Sequence, residues 1–302
     1  MKALMVQIAI LCLAMAGSPA QAVAPADDPE IIKAPWIDGS DPGEPAMQVQ
    51  ILDEDSFALR QSLRTNFEGP FLYLLFGEDR ALLLDTGAGG VAVRPVVDRL
   101  IGEWLARHGR KSIPLVVAHS HAHRDHIAGD AEFRNRPDTT LVGLKPEDVA
   151  GFFGIRAWPD GTGSIDLGGR RLTVLPTPGH QTAHIMLYDP RLRIILSGDA
   201  LYPGRIYVPV NHLGEMRRSI DRVAAFVQRK PVRAVLGAHI ELDRSGADYA
   251  QSVTSHPDER RLELSPRAFD DLRLGLTADL TVPMTHVPRD GFVIVSMPAR
   301  AD

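Results

Sequence analysis

The stretch that decides the reading is His121-Ala122-His123-Arg124-Asp125-His126, which follows the apolar run Ile113-Pro114-Leu115-Val116-Val117-Ala118. The run is rich in β-branched residues and reads as a buried strand over 113–118. Three imidazoles and a carboxylate directly after a buried strand call for a cation. Residues two apart point to different sides of a helix, so His121 and His123 converge on one ion only from a loop at a strand end. Asp125 and His126 then follow on the turn, placed to face a second ion. His119 falls outside this register and is expected to be packed or hydrogen-bonded.

Outward from this cluster, other strand ends carry metal-ligand residue types. Ala81–Leu84 ends in Asp85-Thr86-Gly87, where Asp85 would orient a ligating imidazole, since such histidines donate their second N–H to an oxygen. The stretch from Ser164 to Leu175 reads as strand and ends in Thr177-Pro178-Gly179-His180. His184 opens the next apolar run and is expected to support the site or satisfy a buried partner rather than bind metal. Arg193–Leu196 ends in Ser197-Gly198-Asp199, with Tyr202 three residues on. Val232–Leu236 ends in Gly237-Ala238-His239. His256 and His286 have no motif around them and stay outside the expected site.

The remaining periodicity gives strands at 47–52, 56–60, 71–76 and 292–295, and helices at 93–108, 212–228 and 266–274. Phe152, Phe153 and Trp158 are candidates either for a substrate wall or for core filling, the commoner use of aromatics in a globular domain. Arg124 and Arg205 are candidates either for attracting an anionic substrate or for structural ion pairs.

The chain has 302 residues, 44% of them hydrophobic and 24% charged, an ordinary globular composition with enough apolar material for a sizeable core. Residues 1–22 read as a secretory signal peptide: Met1-Lys2, an apolar run Ala3–Ala16, and Ala20-Gln21-Ala22 before the expected cleavage. The apolar run is shorter than the roughly 20 residues a spanning helix needs, so no membrane association is expected after its removal. The only cysteine, Cys12, lies in this segment, which removes thiolates from the ligand list. Export without disulfides fits a bacterial periplasm. The formal charge of -5 argues against nucleic acid as a partner. Residues 23–45, rich in Pro, Asp, Ala and Gly, read as a poorly ordered leader with Trp36 as the one candidate for a local contact, and 46–302 as one catalytic domain.

Taken together, Asp85, His121 to His126, Thr177 to His180, Ser197 to Asp199 and Gly237 to His239 resemble the metallo-β-lactamase superfamily in order and spacing. The resemblance covers about residues 46–300. It implies an α/β fold, a four-layer αββα sandwich with its site at the sheet edge between the halves. It also implies two zinc ions, with Mn, Fe or Co as other divalent occupants. His121, His123 and His180 would bind one ion, Asp125, His126 and His239 the other, and Asp199 would bridge them. The implied chemistry is attack on a carbonyl by a metal-activated hydroxide, with Tyr202 assisting at the oxyanion and either Asp125 or a metal-bound water at the leaving group.

For the substrate, Asp199 and the Asp199-x-x-Tyr202 spacing resemble lactonases and hydroxyacylglutathione hydrolases. The expectation is therefore a secreted dizinc hydrolase of a small-molecule lactone, ester or thioester. A metallo-β-lactamase is the alternative reading, favoured by export. A mononuclear iron dioxygenase and a noncatalytic binding protein on the same fold are the further ones.

Overall fold

The computed structural model describes residues 31–300, so the expected signal peptide and residues 23–30 lie outside the described residues. The first sheet takes β1 (Met47–Asp53), β2 (Ser56–Gln61), β3 (Phe71–Phe76), β4 (Ala81–Leu84), β5 (Leu115–Ala118) and β6 (Thr139–Leu141), in that spatial order. Helix α1 (Arg94–Arg107) connects β4 to β5, and the short helices α2 (Arg124–Ile127) and α3 (Asp130–Phe133) follow β5. After α4 (Pro146–Phe153) come β7 (Gly163–Asp166), β8 (Arg171–Pro176), β9 (Ile185–Asp189), β10 (Ile194–Gly198) and β11 (Arg205–Pro209). Then follow α5 (Leu213–Val227), β12 (Ala234–Gly237), β13 (Glu263–Leu264), α6 (Ala268–Gly275), β14 (His286–Arg289) and β15 (Phe292–Met297). The second sheet has the order β13-β12-β10-β9-β8-β7, and β11, β15 and β14 form a small third one.

The layers follow from strands buried on both faces. In β3, Phe71, Tyr73 and Leu75 enter the core shared with Ile185, Leu187 and Leu196 of the second sheet, while Leu72, Leu74 and Phe76 meet Val97, Leu100, Ile101 and Trp104 of α1. In β10, Ile194 and Leu196 face the shared core, whereas Ile195 packs into the core of α5 and α6. A period of two with apolar residues on both sides requires a sheet covered on both faces. The result is α1, sheet, sheet, then α5 with α6: the four-layer αββα sandwich expected. Each fully buried aliphatic or aromatic side chain contributes about 1.5–3 kcal/mol relative to exposure.

Strand direction then sets where chemistry collects. β4 and β5 are parallel, as are β10 and β12. β8 and β10 are both antiparallel to β9, so they share a direction. The carboxyl ends of β4 and β5 thereby share one edge of the first sheet, and those of β8, β10 and β12 one edge of the second. At the opposite end, Arg170 pairs with Asp189 and donates to the backbone oxygens of Asp55 and Phe76, tying one sheet to the other.

Two expectations are corrected here. The segment from residue 31 to 45 is not a loose leader: Ile31 and Ile32 are buried, and Trp36 packs edge-on against Phe71 with ring centroids 4.9 Å apart. The Gln48 side chain accepts from the Ile37 N–H at 2.7 Å, and that of Gln50 donates to the Ala34 carbonyl at 2.9 Å. Isolated apolar anchors and side-chain-to-backbone bonds leave no periodic signal in sequence. The stretch from 164 to 175 is two strands, because Gly168 and Gly169, both at positive φ, fold it into a hairpin. Among the described residues no helix is long and apolar enough to cross a membrane.

Candidate metal centre

Two groups of ligand-type atoms meet at this edge: His121, His123 and His180 in one, and Asp125, His126, Asp199 and His239 in the other. All seven expected ligands are thus brought together, from the ends of β5, β8, β10 and β12. In the first group Nδ1 of His123 lies 2.9 Å from Nε2 of His121 and 2.9 Å from Nε2 of His180. In the second, Oδ2 of Asp125 lies 3.0 Å from Nε2 of His126 and 3.2 Å from Nε2 of His239. Atoms bound tetrahedrally to one zinc at 2.0–2.1 Å would sit about 3.4 Å apart, so both groups are near ligand-cage size.

Asp199 stands between them. Its Oδ2 lies 3.5 Å from Nε2 of His180 and 3.8 Å from Nε2 of His121. Its Oδ1 lies 3.3 Å from Nε2 of His126 and 3.4 Å from Nε2 of His239. One carboxylate therefore offers one oxygen to each group.

The outer nitrogens show which atoms point inward. Nδ1 of His126 donates to Asp85 at 2.9 Å, Nδ1 of His180 to the Tyr207 carbonyl at 2.8 Å, and Nδ1 of His239 to the Glu68 carbonyl at 2.8 Å. Ser120 gives its backbone N–H and its hydroxyl proton to the two oxygens of Asp85, so its Oγ accepts from Nδ1 of His121 at 3.1 Å. Each of these rings turns Nε2 toward the centre, the nitrogen a metal would take. Asp85 holds this post at a φ of 69°, an uncommon conformation for a non-glycine residue. Nε2 of His126 and Oδ1 of Asp199 are buried without a hydrogen-bond partner. Orphaned buried polar atoms are costly, and a divalent cation between them would remove that cost. The donor set of nitrogens and carboxylate oxygens fits zinc.

The two groups differ in charge. Burial, and then the neighbouring imidazoles, push the pKa of His121 well below its usual value, and that of His123 down to about 4. Burial likewise lowers His180. His126 and His239 go the other way: burial opposes charge, but Asp125 and Asp199 outweigh it and raise both well above the usual value. Burial would raise the carboxyls, yet His126 beside Asp125, and His239 with His126 beside Asp199, hold them well below the usual carboxylate range. Without a cation, the second group keeps protons where a metal would sit.

Close packing fixes Asp199. A side chain at Gly198 would come within 2.7 Å of Ser120 Cβ and 2.8 Å of His184 Nε2, and one at Gly237 within 2.3 Å of Tyr202 Cβ. His184 supports the site as expected: it donates to Thr177 Oγ1 at 2.7 Å and accepts the Asp199 N–H at 3.3 Å. His119 donates to Asp130 at 2.8 Å and stays outside.

A cavity of about 440 Å³ opens over the centre, with His123, Asp125, His180, Asp199 and His239 in its wall. Tyr202 borders it, but its hydroxyl donates to the Arg205 carbonyl and lies 3.1 Å from Glu241 Oε2. The proton that an oxyanion role needs is therefore already given to Arg205. Arg205 is buried in ion pairs with Glu241 at 3.0 Å and Asp248 at 3.3 Å, which makes it a structural residue. Phe153 belongs to the core and Trp158 packs on it, while Phe152 is exposed; none of these aromatics borders the cavity. Phe153 and Trp158 thus take the core-filling alternative, and residues 250–253 and His256 stand in the cavity wall. His256 stacks on Tyr249 at 4.1 Å and meets Glu259, which pairs with the fully buried Arg60 of β2. Sequence reasoning missed His256, Ser120 and the carbonyls of Tyr207 and Glu68. Only Ser120, between two histidines at a strand end, carried a local signal.

Residues 66–239, more than half of the chain, match the sequence profile of the metallo-beta-lactamase superfamily. Human acyl-coenzyme A thioesterase MBLAC2 is 28% identical over 204 residues, covering 56% of this chain and 72% of that protein. Hydroxyacylglutathione hydrolase of Dechloromonas aromatica is 30% identical over 163 residues, covering 53% of this chain and 54% of its own length. Among solved structures, the metallo-beta-lactamase FIM-1 of Pseudomonas aeruginosa, in a mono-zinc form, superposes with a TM-score of 0.51 at 16% identity, over 80% of this chain and 99% of that one.

Proposed function

Because this chain belongs to the metallo-beta-lactamase superfamily, we propose that it is a two-zinc hydrolase of a small-molecule carbonyl compound, with thioesters, esters and lactones as the substrate classes. The carrying observation is Asp199, whose two oxygens are divided between the two ligand groups. Relatives named as a thioesterase and a hydroxyacylglutathione hydrolase support the thioester reading. Likeness to a β-lactamase at 16% identity concerns the fold alone. The proposed place of action is outside the cytoplasm, in the periplasm, after cleavage behind Ala22.

Bound divalent cations supply Lewis acidity, bringing the pKa of a water near 7 and polarising a carbonyl. The residues supply the rest. Asp85, Ser120 and the carbonyls of Tyr207 and Glu68 lock four imidazoles with Nε2 inward, so no reorganisation is needed when a substrate arrives. Asp125 turns Oδ2 to His126 and His239 and lines the cavity, which leaves its other carboxylate oxygen to receive a proton for transfer to a leaving group. The buried edge excludes bulk water from Asp199, which is 6% exposed.

The test is a metal count on the purified mature protein, paired with turnover of acyl thioesters, homoserine lactones and a cephalosporin. Two zincs per chain with thioester, ester or lactone hydrolysis is the expected result. One iron per chain, or inertness toward all three panels with both metals bound, rejects the reading. Sequencing the amino terminus of exported protein checks the start at Val23.

A further inference from the structure

The metal centre would act on the carbonyl end of a substrate; its other end meets the cavity wall. Arginines 124, 205 and 300 border that cavity. Arg205 is occupied by Glu241, Asp248 and the Tyr249 carbonyl. Arg124 and Arg300 are exposed, and neither guanidinium has an ion-pair or hydrogen-bond partner among the described residues.

Both are nevertheless held at fixed points. Arg124 is the first residue of α2, one position after His123 and one before Asp125. Arg300 reaches the cavity at the end of the segment after β15, where the Asn211 amide grips its backbone from both sides. Asn211 Nδ2 donates to the Arg300 carbonyl at 2.9 Å, and the Arg300 N–H donates to Asn211 Oδ1 at 3.1 Å. The backbone is clamped and the guanidinium is left to the cavity.

The acids of the wall do not cancel these charges. Asp125 and Asp199 face imidazoles, and Glu241 is paired with Arg205, which leaves Glu68 against two guanidinium groups. Unpaired guanidinium groups on anchored backbone beside a reactive centre suit a planar or tetrahedral oxyanion group, which they bind through charge-assisted hydrogen bonds.

We propose that Arg124 and Arg300 form an anion subsite that takes a carboxylate or phosphate on the non-reacting end of the substrate. This rests on the carbonyl-hydrolase reading above and narrows it to anionic substrates.

The experiment uses zinc-loaded mature protein and three butyl thioethers that cannot be hydrolysed: those of N-acetylcysteamine (neutral), 3-mercaptopropionate (carboxylate) and phosphopantetheine (phosphate). Binding is measured by calorimetry, and the matching butyryl thioesters are assayed for turnover. At least one anionic thioether should bind about tenfold or more tightly than the neutral one. Whichever anion is preferred identifies the group. Arg124→Gln and Arg300→Gln should each remove most of that preference, and Arg124→Lys should restore part of it. Raising salt should weaken the anionic probe selectively. Zinc content, measured on every variant, separates loss of the subsite from loss of the centre. Equal binding of all three thioethers, or a preference that survives Arg124→Gln with Arg300→Gln, overturns the proposal. Arginine-dependent anion binding without turnover of any thioester keeps the subsite and removes the thioester form of the hydrolase reading. Turnover with no anion preference does the reverse.

Discussion

The two ligand groups lie side by side yet are built on opposite electrostatic principles. His121, His123 and His180 are buried imidazoles kept neutral by burial and by one another, a cage ready for a cation with no proton to displace. Asp125, His126 and His239 share a charge network, in which carboxylates hold protons on the imidazoles in the absence of a cation. Asp199 joins the two, and Asp85 with Ser120 braces both: Asp85 holds His126, and Ser120 links Asp85 to His121. Adjacent cages of similar size can thus have different charge states and different pH responses while depending on the same few residues.

The largest expected effect comes from removing the shared residue. Asp199→Ala should lower hydrolysis by at least about a hundredfold and reduce the metal count below two, read by elemental analysis with turnover. Full activity with both metals retained would erase the division of Asp199 between the groups. Asp85→Asn should act mainly on one side. It weakens the orientation of His126, and metal affinity at the second group should fall about 10–100-fold, with a smaller fall at the first, which Asp85 reaches only through Ser120, as read by zinc competition with a chelator. Equal losses at both positions would show that the groups are not separable. Ser120→Ala removes one hydroxyl from a bonded chain and should cost about 1 kcal/mol of stability in chemical denaturation, with a smaller fall in affinity than Asp85→Asn.

The subtlest contrast is in protons. With His126 and His239 raised above 6.5 and Asp125 and Asp199 held below 3.8, their pairing in the metal-free protein is complete between those limits. The imidazole contribution is present below 6.5 and is lost as pH rises through the raised values; the carboxylate contribution is lost as pH falls through the depressed ones. Zinc entering the second group must therefore expel protons, whereas His123, lowered to about 4, is already neutral near pH 7. Calorimetric titration in buffers of different ionisation enthalpy should show proton release confined to one of the two binding steps. On acidification from neutral pH, the metal at Asp125, His126 and His239 should leave first.

Much of this was legible in the chain. The histidine-rich turn after β5 and the ligand types after β8, β10 and β12 carried local signals, because strands that are buried on both faces leave continuous apolar runs and the turns beyond them stand out. The helices α1, α5 and α6 were visible through the spacing of their buried faces. The packing of residues 31–45 was not legible, since its anchors touch side chains that no short-range pattern connects. The cavity wall around His256 was hidden for the same reason: Arg60 and Glu259, which fix it, are separated by 199 positions. Tyr202 carried a suggestive spacing, but its hydroxyl partner is a backbone carbonyl, and backbone acceptors have no residue signature.

The sequence by itself determined which residue types arrive at which strand ends, because local periodicity and turn chemistry act over a few residues. Only the tertiary structure decided which atom of each residue faces inward. It also separated Arg205, spent on Glu241, from Arg124 and Arg300, which remain turned to the cavity. Orientation and charge pairing depend on partners far away in the chain, and those distances close only when the two sheets meet.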